Sequence, residues 1–341
     1  MLIFIVLLVL LFFVSRVGLK KGGLWIWTFI LAFILGFRGS SVGDDTERYI
    51  KYYYGTDYAL GVGYMEPGWT YISTLFRNMG FSAYFFHFLI ALVTLSCFAY
   101  VISKEDDKKV RGLALFFLYT LGFYLYMFNG MRQFLAVGIC FVAFYMITKG
   151  KYIWGIALVL FSSLFHTSAL VALSFVFVKR LKLTIGNSIM MFIASLVLGV
   201  FILRGVISVL AGGYAHIIDE HGFRTSMSFV FFVCITTCVL YIWLIDRKPA
   251  LKDNIWMKLF FVSIIVQNVL CQVVYGPRIV FYFSTAQIIA LALVYRETKD
   301  DLVRIVIYLY SFVTFFRYLI PELYRTEESL LPYYMTFQIF D

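Results

Sequence analysis

The chain has 341 residues, 62% of them hydrophobic and 14% charged, with a formal net charge of +10. Soluble domains carry roughly half apolar and about a quarter charged residues, so this composition excludes a soluble globular protein. It excludes a nucleic-acid binder too, because the bases lie in short loops between apolar runs, where they act as topology signals.

Apolar runs fall at 2–18, 24–37, 81–102, 112–128, 131–148, 152–178, 185–203, 227–245, 255–274, 277–295 and 302–319. They predict an all-α integral membrane protein, a polytopic helical bundle forming one transmembrane domain over 1–341, with outer-face loops and no separate soluble domain. The first run lacks a basic n-region and a small-residue cleavage site, so it is expected to be a retained span. Lysine-rich clusters follow the first run and recur at 104–111, 149–151, 179–182, 247–258 and 296–304; placing them all in the cytoplasm obeys the positive-inside rule. Residues 152–178 then have bases at both ends. The run is predicted to be a short hairpin, Tyr152 to Phe165 and Thr167 to Val178, with His166 at the bend. Irregular backbone at membrane depth must be buried in protein or line a wet cavity. The count becomes twelve helical segments with both termini outside.

The two sides differ in kind. The inner side holds 13 lysines and 6 arginines; the outer side holds Lys51 and nine arginines, at 38, 48, 77, 132, 204, 224, 278, 317 and 325. Arginine stays charged when partly buried and presents a planar fork to phosphate or carboxylate oxygens. The outer arginines are therefore read as the footprint of an anionic ligand. The competing reading pairs them with Asp44, Asp45, Glu47, Asp219 or Glu220, above all for Arg204, Arg224 and Arg325.

Two outer regions exceed simple linkers. Residues 38–80 are rich in tyrosine and end in Glu66-Pro67-Gly68 and an amphipathic stretch, Trp69 to Met79. Trp69, Ile72, Phe76 and Met79 share one face of it, predicting a helix lying in the membrane interface. Residues 204–226 form the second region. The cysteines all lie in apolar runs. Cys234 and Cys238, one helical turn apart, make a packing pair rather than a disulfide. His216 and His221 are spaced i, i+5 and do not share a helical face, so no metal and no cofactor is expected.

Several short patterns occur in order along the chain: Arg38 and Val42-Gly43-x-Asp45-Thr46-x-x-Tyr49; Arg132-Gln133-x-x-Ala136; His166-x-Ser168-Ala169-Leu170; Arg278-x-x-x-Tyr282-Phe283; and Pro332-Tyr333. Their order and spacing resemble the EpsG-like and Wzy-type membrane polysaccharide polymerases. The resemblance implies a membrane glycosyltransferase of the O-antigen or capsule polymerase type. Such an enzyme joins undecaprenyl-diphosphate-linked oligosaccharide repeat units on the outer face of the bacterial cytoplasmic membrane. It also implies lipid-linked donor and acceptor, surrounding membrane lipid, a separate chain-length-regulating membrane partner, and no nucleic acid.

That chemistry needs cations on the diphosphate leaving group, a proton acceptor for the attacking hydroxyl and a groove that orients two glycans. Arg132 and Arg278 are the expected clamp, each at the outer end of a span, where a charge is functional by default; snorkelling to headgroups is the alternative. Asp45 is the first candidate base and His166 the second. Capping of a short helix by Asp44 or Asp45, and a structural bond at the bend for His166, compete with these roles. Arg38, Arg48, Tyr49, Gln133, Tyr282 and Tyr333 are expected to bind substrate, with Arg38 able instead to pair with Asp44 or Asp45. Tyrosines 49, 52, 53, 54, 58 and 64 could stack on sugars or form an interfacial belt. A glycan ligase with another acceptor, a flippase for lipid-linked sugars and a membrane acyltransferase are the alternatives. The inner halves of the spans hold almost no ionisable groups, which disfavours a flippase, and an acyltransferase would want its histidine on the cytoplasmic side.

Overall fold

The computed structural model describes residues 1–55, 65–202, 228–273, 276–325 and 329–340. The region 204–226, with His216, His221, Arg204 and Arg224, lies outside the described residues, as do Tyr58 and Tyr64. Among the described residues the chain is all-helical, with isolated β-bridges and no strand. It divides into two compact units, Met1–Leu170 with Leu291–Asp341, and Val171–Ala290.

In the first unit the helices are α1 (Leu2–Val17), α2 (Lys21–Gly36), α3 (Thr46–Tyr54), α4 (Pro67–Asn78), α5 (Ala83–Ile102), α6 (Lys108–Thr120), α7 (Phe123–Tyr126), α8 (Met131–Thr148) and α9 (Tyr152–Ser163). The long helices pack in a chain, α2 on α5, α5 on α8 and α8 on α9, while α1 lies on α6. Small residues set these crossings, because helices in lipid associate by close packing rather than by hydrophobic expulsion. A Cβ on Gly36 of α2 would lie 2.1 Å from the Phe88 Cα of α5, one on Gly138 3.1 Å from the Thr94 carbonyl oxygen, and one on Gly155 3.0 Å from that of Ala143.

After Thr148 the chain turns into α9, and the break at Leu164–His166 falls where the sequence predicts it. The second arm is a 3-10 helix, Thr167–Ser174, closed by one α-turn, α10 (Phe175–Val178). In the second unit α11 (Ile185–Val197) ends in a π-turn, Leu198–Ile202. It packs on α13 (Ile255–Val269), as does α12 (Ser228–Arg247). Asn268 of α13 donates to Ser195 Oγ at 2.9 Å and Gln272 donates to the Val200 carbonyl at 2.7 Å, so polar side chains hold the backbone where α11 widens. Cys234 and Cys238 are buried and form no disulfide, as expected. Then follow α14 (Gly276–Ser284) and α15 (Ala286–Glu297), bent by 43° at their junction, and α16 (Asp301–Glu322), which returns to α6.

The expectation of one span at 112–128 is corrected. The helix stops at Thr120, and Gly122 adopts φ 87° with the Tyr318 ring of α16 where a Cβ would sit, so the run divides into α6 and α7. Among the described residues three helices are long and apolar enough to cross a membrane, α5, α8 and α16, with α14 and α15 together a fourth; α1, α2, α9, α11 and α13 are apolar but shorter. On α16 Leu302, Ile305, Leu309, Val313, Phe316 and Ile320 are exposed, while Val303, Ile307, Phe315 and Leu319 are buried. A helix apolar on its outer face as well as its inner one suits a lipid surround.

Within the first unit the loops group by end as the charges predict. At one end the Leu19 N–H donates to Lys108, Arg111 donates to the carbonyls of Leu19, Glu105 and Asp106, and Arg296 pairs with Asp107 at 2.8 Å. At the other end the extended stretch 329–340 lies across the loop after α2. The Gly39 N–H donates to Tyr334, Thr336 to Phe37, and Ser82 to Ile339. A Cβ on Gly39 would fall 1.9 Å from the Tyr334 ring, so only glycine lets this strap seat.

Helix α4 corrects a second expectation. Trp69 is buried, and Ile72 and Phe76 pack beside it in a cluster with Tyr49, Tyr53, Phe86, Met131 and Leu135. Trp69, Ile72 and Phe76 of the face read as lipid-directed therefore turn into the protein, while Met79, just past the helix end, stays exposed, as do Tyr71 and Leu75 on the other flank. The sequence showed one apolar stripe, but both flanks of α4 are apolar, and aromatic partners on α3 and α5 claimed the larger one.

Gly36→Ala tests the closest crossing. It should cost about 1–3 kcal/mol through overpacking against Phe88, read as a lowered melting temperature of the detergent-solubilised protein, whereas Gly186→Ala, in open space on α11, should melt like the parent.

Candidate active site

The site of the first unit grows from the turn that ends α2. Arg38 lies in this turn, fully buried. It donates from Nε to Thr46 Oγ1 at 2.8 Å, from Nη1 to the Leu35 carbonyl at 2.6 Å and from Nη2 to the Phe128 carbonyl at 3.1 Å. Its guanidinium also sits over the Phe128 ring, 5.5 Å from the centroid. Burial lowers it to about 10, which leaves it charged at neutral pH. The structure thus gives Arg38 a framing part in place of the substrate contact expected of it: with no exposed surface, its fork ties α2 to the start of α3 and to the link between α7 and α8. Gly43 completes the turn with φ 93°, its Cα within reach of the Phe128 carbonyl, where a side chain would collide.

Two acids follow. Asp44 faces Arg325 at 2.8 Å, and Arg325 also reaches Glu322 at 3.3 Å, so Arg325 is a structural tie, as its competing reading anticipated. Burial pushes the Asp44 carboxyl up, against the pull of Arg325. Asp45 occupies the N-cap position of α3, yet its side chain makes no capping hydrogen bond; it pairs with the exposed Arg48 at 3.5 Å. The Asp45 side chain keeps 26% of its surface exposed.

One turn further on, Tyr49 is buried against Trp69, with ring centroids 5.4 Å apart. Arg132, in the first turn of α8, lies over the Tyr49 ring at 5.9 Å and forms an ion pair with Glu66. Burial pushes the Tyr49 hydroxyl up, and the Arg132 charge opposes the shift. Glu66 stands at the N-cap position of α4, and its second oxygen accepts the Thr167 N–H at 3.2 Å. Through this one carboxylate the start of α4, the start of α8 and the turn after α9 meet. His166 therefore enters the same neighbourhood, half-buried, with Nδ1 2.7 Å from Ser168 Oγ. Gln133 is buried beside Arg132. Tyr333 lies in the strap, donates to the Ile34 carbonyl at 2.7 Å and packs on Phe4, so its hydroxyl anchors the strap and is not displayed to a ligand.

Arg278 and Tyr282 belong to the second unit. Arg278 is exposed in the first turn of α14, and Tyr282 is buried one turn on. Among the described residues no group of histidines, cysteines or acids could hold a metal.

The sequence reading missed two residues. Glu66 was visible only as part of a Glu-Pro-Gly helix start. The signal that could have found it is the lone acid facing a buried arginine, and that needs tertiary contacts. His87 of α5 is fully buried among Tyr49 and Phe86, with both ring nitrogens lacking hydrogen-bond partners. Nothing in its apolar run marks it.

A family model described as the EpsG family matches residues 24–335. The chain belongs to the EpsG family. EpsG-like proteins are Wzy-type polymerases. The matched stretch runs from α2 into the strap, so it takes in both the Arg38–Tyr49 loop and the α14 helix of Arg278. No curated protein and no solved structure matches this EpsG-family chain.

Arg38→Ala should destabilise the protein by at least ~2 kcal/mol, because three buried acceptors lose charge-assisted bonds. Arg38→Lys should restore little of that, since one ammonium cannot replace the fork. Limited proteolysis of the 38–55 loop measures both; a lysine variant as resistant as the parent would refute the framing role.

Proposed function

We propose that the protein is a membrane glycosyltransferase that polymerises undecaprenyl-diphosphate-linked oligosaccharide repeats on the outer face of the cytoplasmic membrane. The observation that carries this reading is Arg132. It is a guanidinium held over Tyr49 at the outer end of a spanning helix, joined through Glu66 to the turn that bears His166, with Asp45 one helical turn from Tyr49. Family membership supports the class of reaction.

In this reading the acceptor's sugar hydroxyl attacks the anomeric carbon of the donor glycan. The bond from that carbon to the diphosphate oxygen breaks, its electron pair leaves with the diphosphate, and Arg132 stabilises the charge that develops there; Arg278, in the second unit, is proposed separately as a phosphate-binding residue. The hydroxyl proton passes to Asp45 or His166. Asp45 is partly exposed, but Arg48 engages its carboxyl group at 3.5 Å. His166 has Nδ1 2.7 Å from Ser168 Oγ, a contact that orients the ring. Arg48 and Gln133 are proposed to flank the path as glycan or phosphate contacts; Tyr282, in the second unit, is proposed separately as a substrate contact. The diphosphate-linked donor supplies the driving force, so no nucleotide sugar is needed. A length-regulating membrane protein is the partner this chemistry calls for, since nothing in the transfer step counts repeats.

Arg132→Ala and Arg278→Ala should insert normally and lower long-chain product at least ~100-fold, read as a surface-glycan ladder on electrophoresis. Arg132→Lys, which keeps charge and loses the fork, should recover only a minor part. A full ladder from either alanine variant would overturn the clamp. Deletion of the whole gene should collapse the ladder to a single repeat; repeats trapped inside the cell would mean a flippase, and polymer left on its carrier would mean a ligase.

A further inference from the structure

The Arg132–Glu66 pair holds a carboxylate in a setting that suits a phosphate. One oxygen of Glu66 accepts from the Arg132 guanidinium, and the other accepts the Thr167 N–H at 3.2 Å, the first amide of the helical stretch Thr167–Val178. A guanidinium beside a helix-start amide is a common grip for phosphate oxygens. Arg132 has a further donor, Nε, buried without a hydrogen-bond partner, and 20% of its side chain stays exposed.

The backbone around Glu66 is secured without its carboxylate. Pro67 opens α4, the Gly68 N–H donates to the Leu164 carbonyl at 2.9 Å, and a Cβ on Gly68 would lie 2.7 Å from that oxygen. The side chain can therefore swing away while α4 and the His166 turn keep their contact. A diphosphate arriving beside a fixed glutamate would meet like charge at close range, which is costly in a half-buried site.

We propose that Glu66 is a placeholder for substrate phosphate: its carboxylate occupies the Arg132 and Thr167 donors in the empty enzyme and is displaced when a polyprenyl diphosphate binds. This deepens the reading of Arg132 as a diphosphate clamp and rests on it. The exchange keeps Arg132 paired and oriented between turnovers, so that the half-buried cation is never left uncompensated. It also makes the clamp selective, since a ligand must carry enough negative charge to outcompete an internal carboxylate.

The test is a double-mutant cycle on the full-length protein in detergent, with farnesyl diphosphate as the probe and calorimetry as the readout. Arg132→Gln should weaken binding. Glu66→Gln, which keeps an oxygen for the Thr167 N–H but withdraws the charge from Arg132, should tighten it about tenfold. In the Arg132→Gln background the Glu66→Gln change should have no effect, which separates displacement from a general rise in positive potential. A strut predicts the opposite sign for Glu66→Gln, weaker binding together with a lower melting temperature, and that result overturns the placeholder. So does tightening that persists without Arg132. Should Glu66→Gln not accumulate, Glu66→Asp, one methylene shorter, should tighten binding by a smaller factor, and unchanged binding would overturn the proposal. If Arg132→Gln binds like the parent, the clamp reading itself fails; if it weakens binding while Glu66→Gln does not tighten it, only the placeholder fails.

Discussion

A single half-buried ion pair, Arg132 with Glu66, organises the arginine-rich end of the first unit. Three helical elements that are remote in sequence begin or end at it: α4, α8 and the turn that follows α9. Charges in such a setting lose hydration and must be compensated by partners with good geometry. That requirement keeps Arg132 paired where α4, α8 and the His166 turn meet. The aromatic floor beneath the pair, Tyr49 on Trp69, is apolar on one side and polar at its tip, so it supports a charge without supplying water.

Beside it, a second buried cation performs a different task. Arg38 uses its fork on one hydroxyl and two backbone carbonyls, closing the turn between α2 and α3 against the link between α7 and α8. The C-terminal strap then covers this turn through backbone bonds to Gly39 and Phe37, and Tyr333 locks it to α2. Arg325 at the end of α16 holds Asp44 from the same side. Three arginines of one chemical type thus divide the work. Arg38 and Arg325 build the frame, and Arg132 stands within it at the position where a phosphate could be gripped. Asp45, released from capping α3, stays partly exposed at the edge of that frame.

The sequence conveyed the fold class well, for physical reasons that act locally. Apolar runs declare helices in lipid because each must satisfy its own backbone there, and α5, α8 and α16 lie close to the runs read for them. The grouping of loops at the two ends followed from lysine and arginine placement alone. The failures share one cause. The division of 112–128 depends on the Tyr318 ring beside Gly122, and the inward turn of Trp69 depends on the rings of Tyr49 and Phe86. Each is a contact with a residue distant in the chain, and periodicity carries no record of it.

What the sequence by itself determined is the class of molecule, the position of its long apolar helices and the family to which it belongs, because hydropathy and charge are properties of residues and their near neighbours. What only the tertiary structure decided is which arginine frames and which could bind, and that Glu66 matters at all. The role of a guanidinium is set by the atoms within about 3 Å of its five donors. Those atoms come from carbonyls, hydroxyls and carboxylates brought together by packing, not from the residues on either side of it.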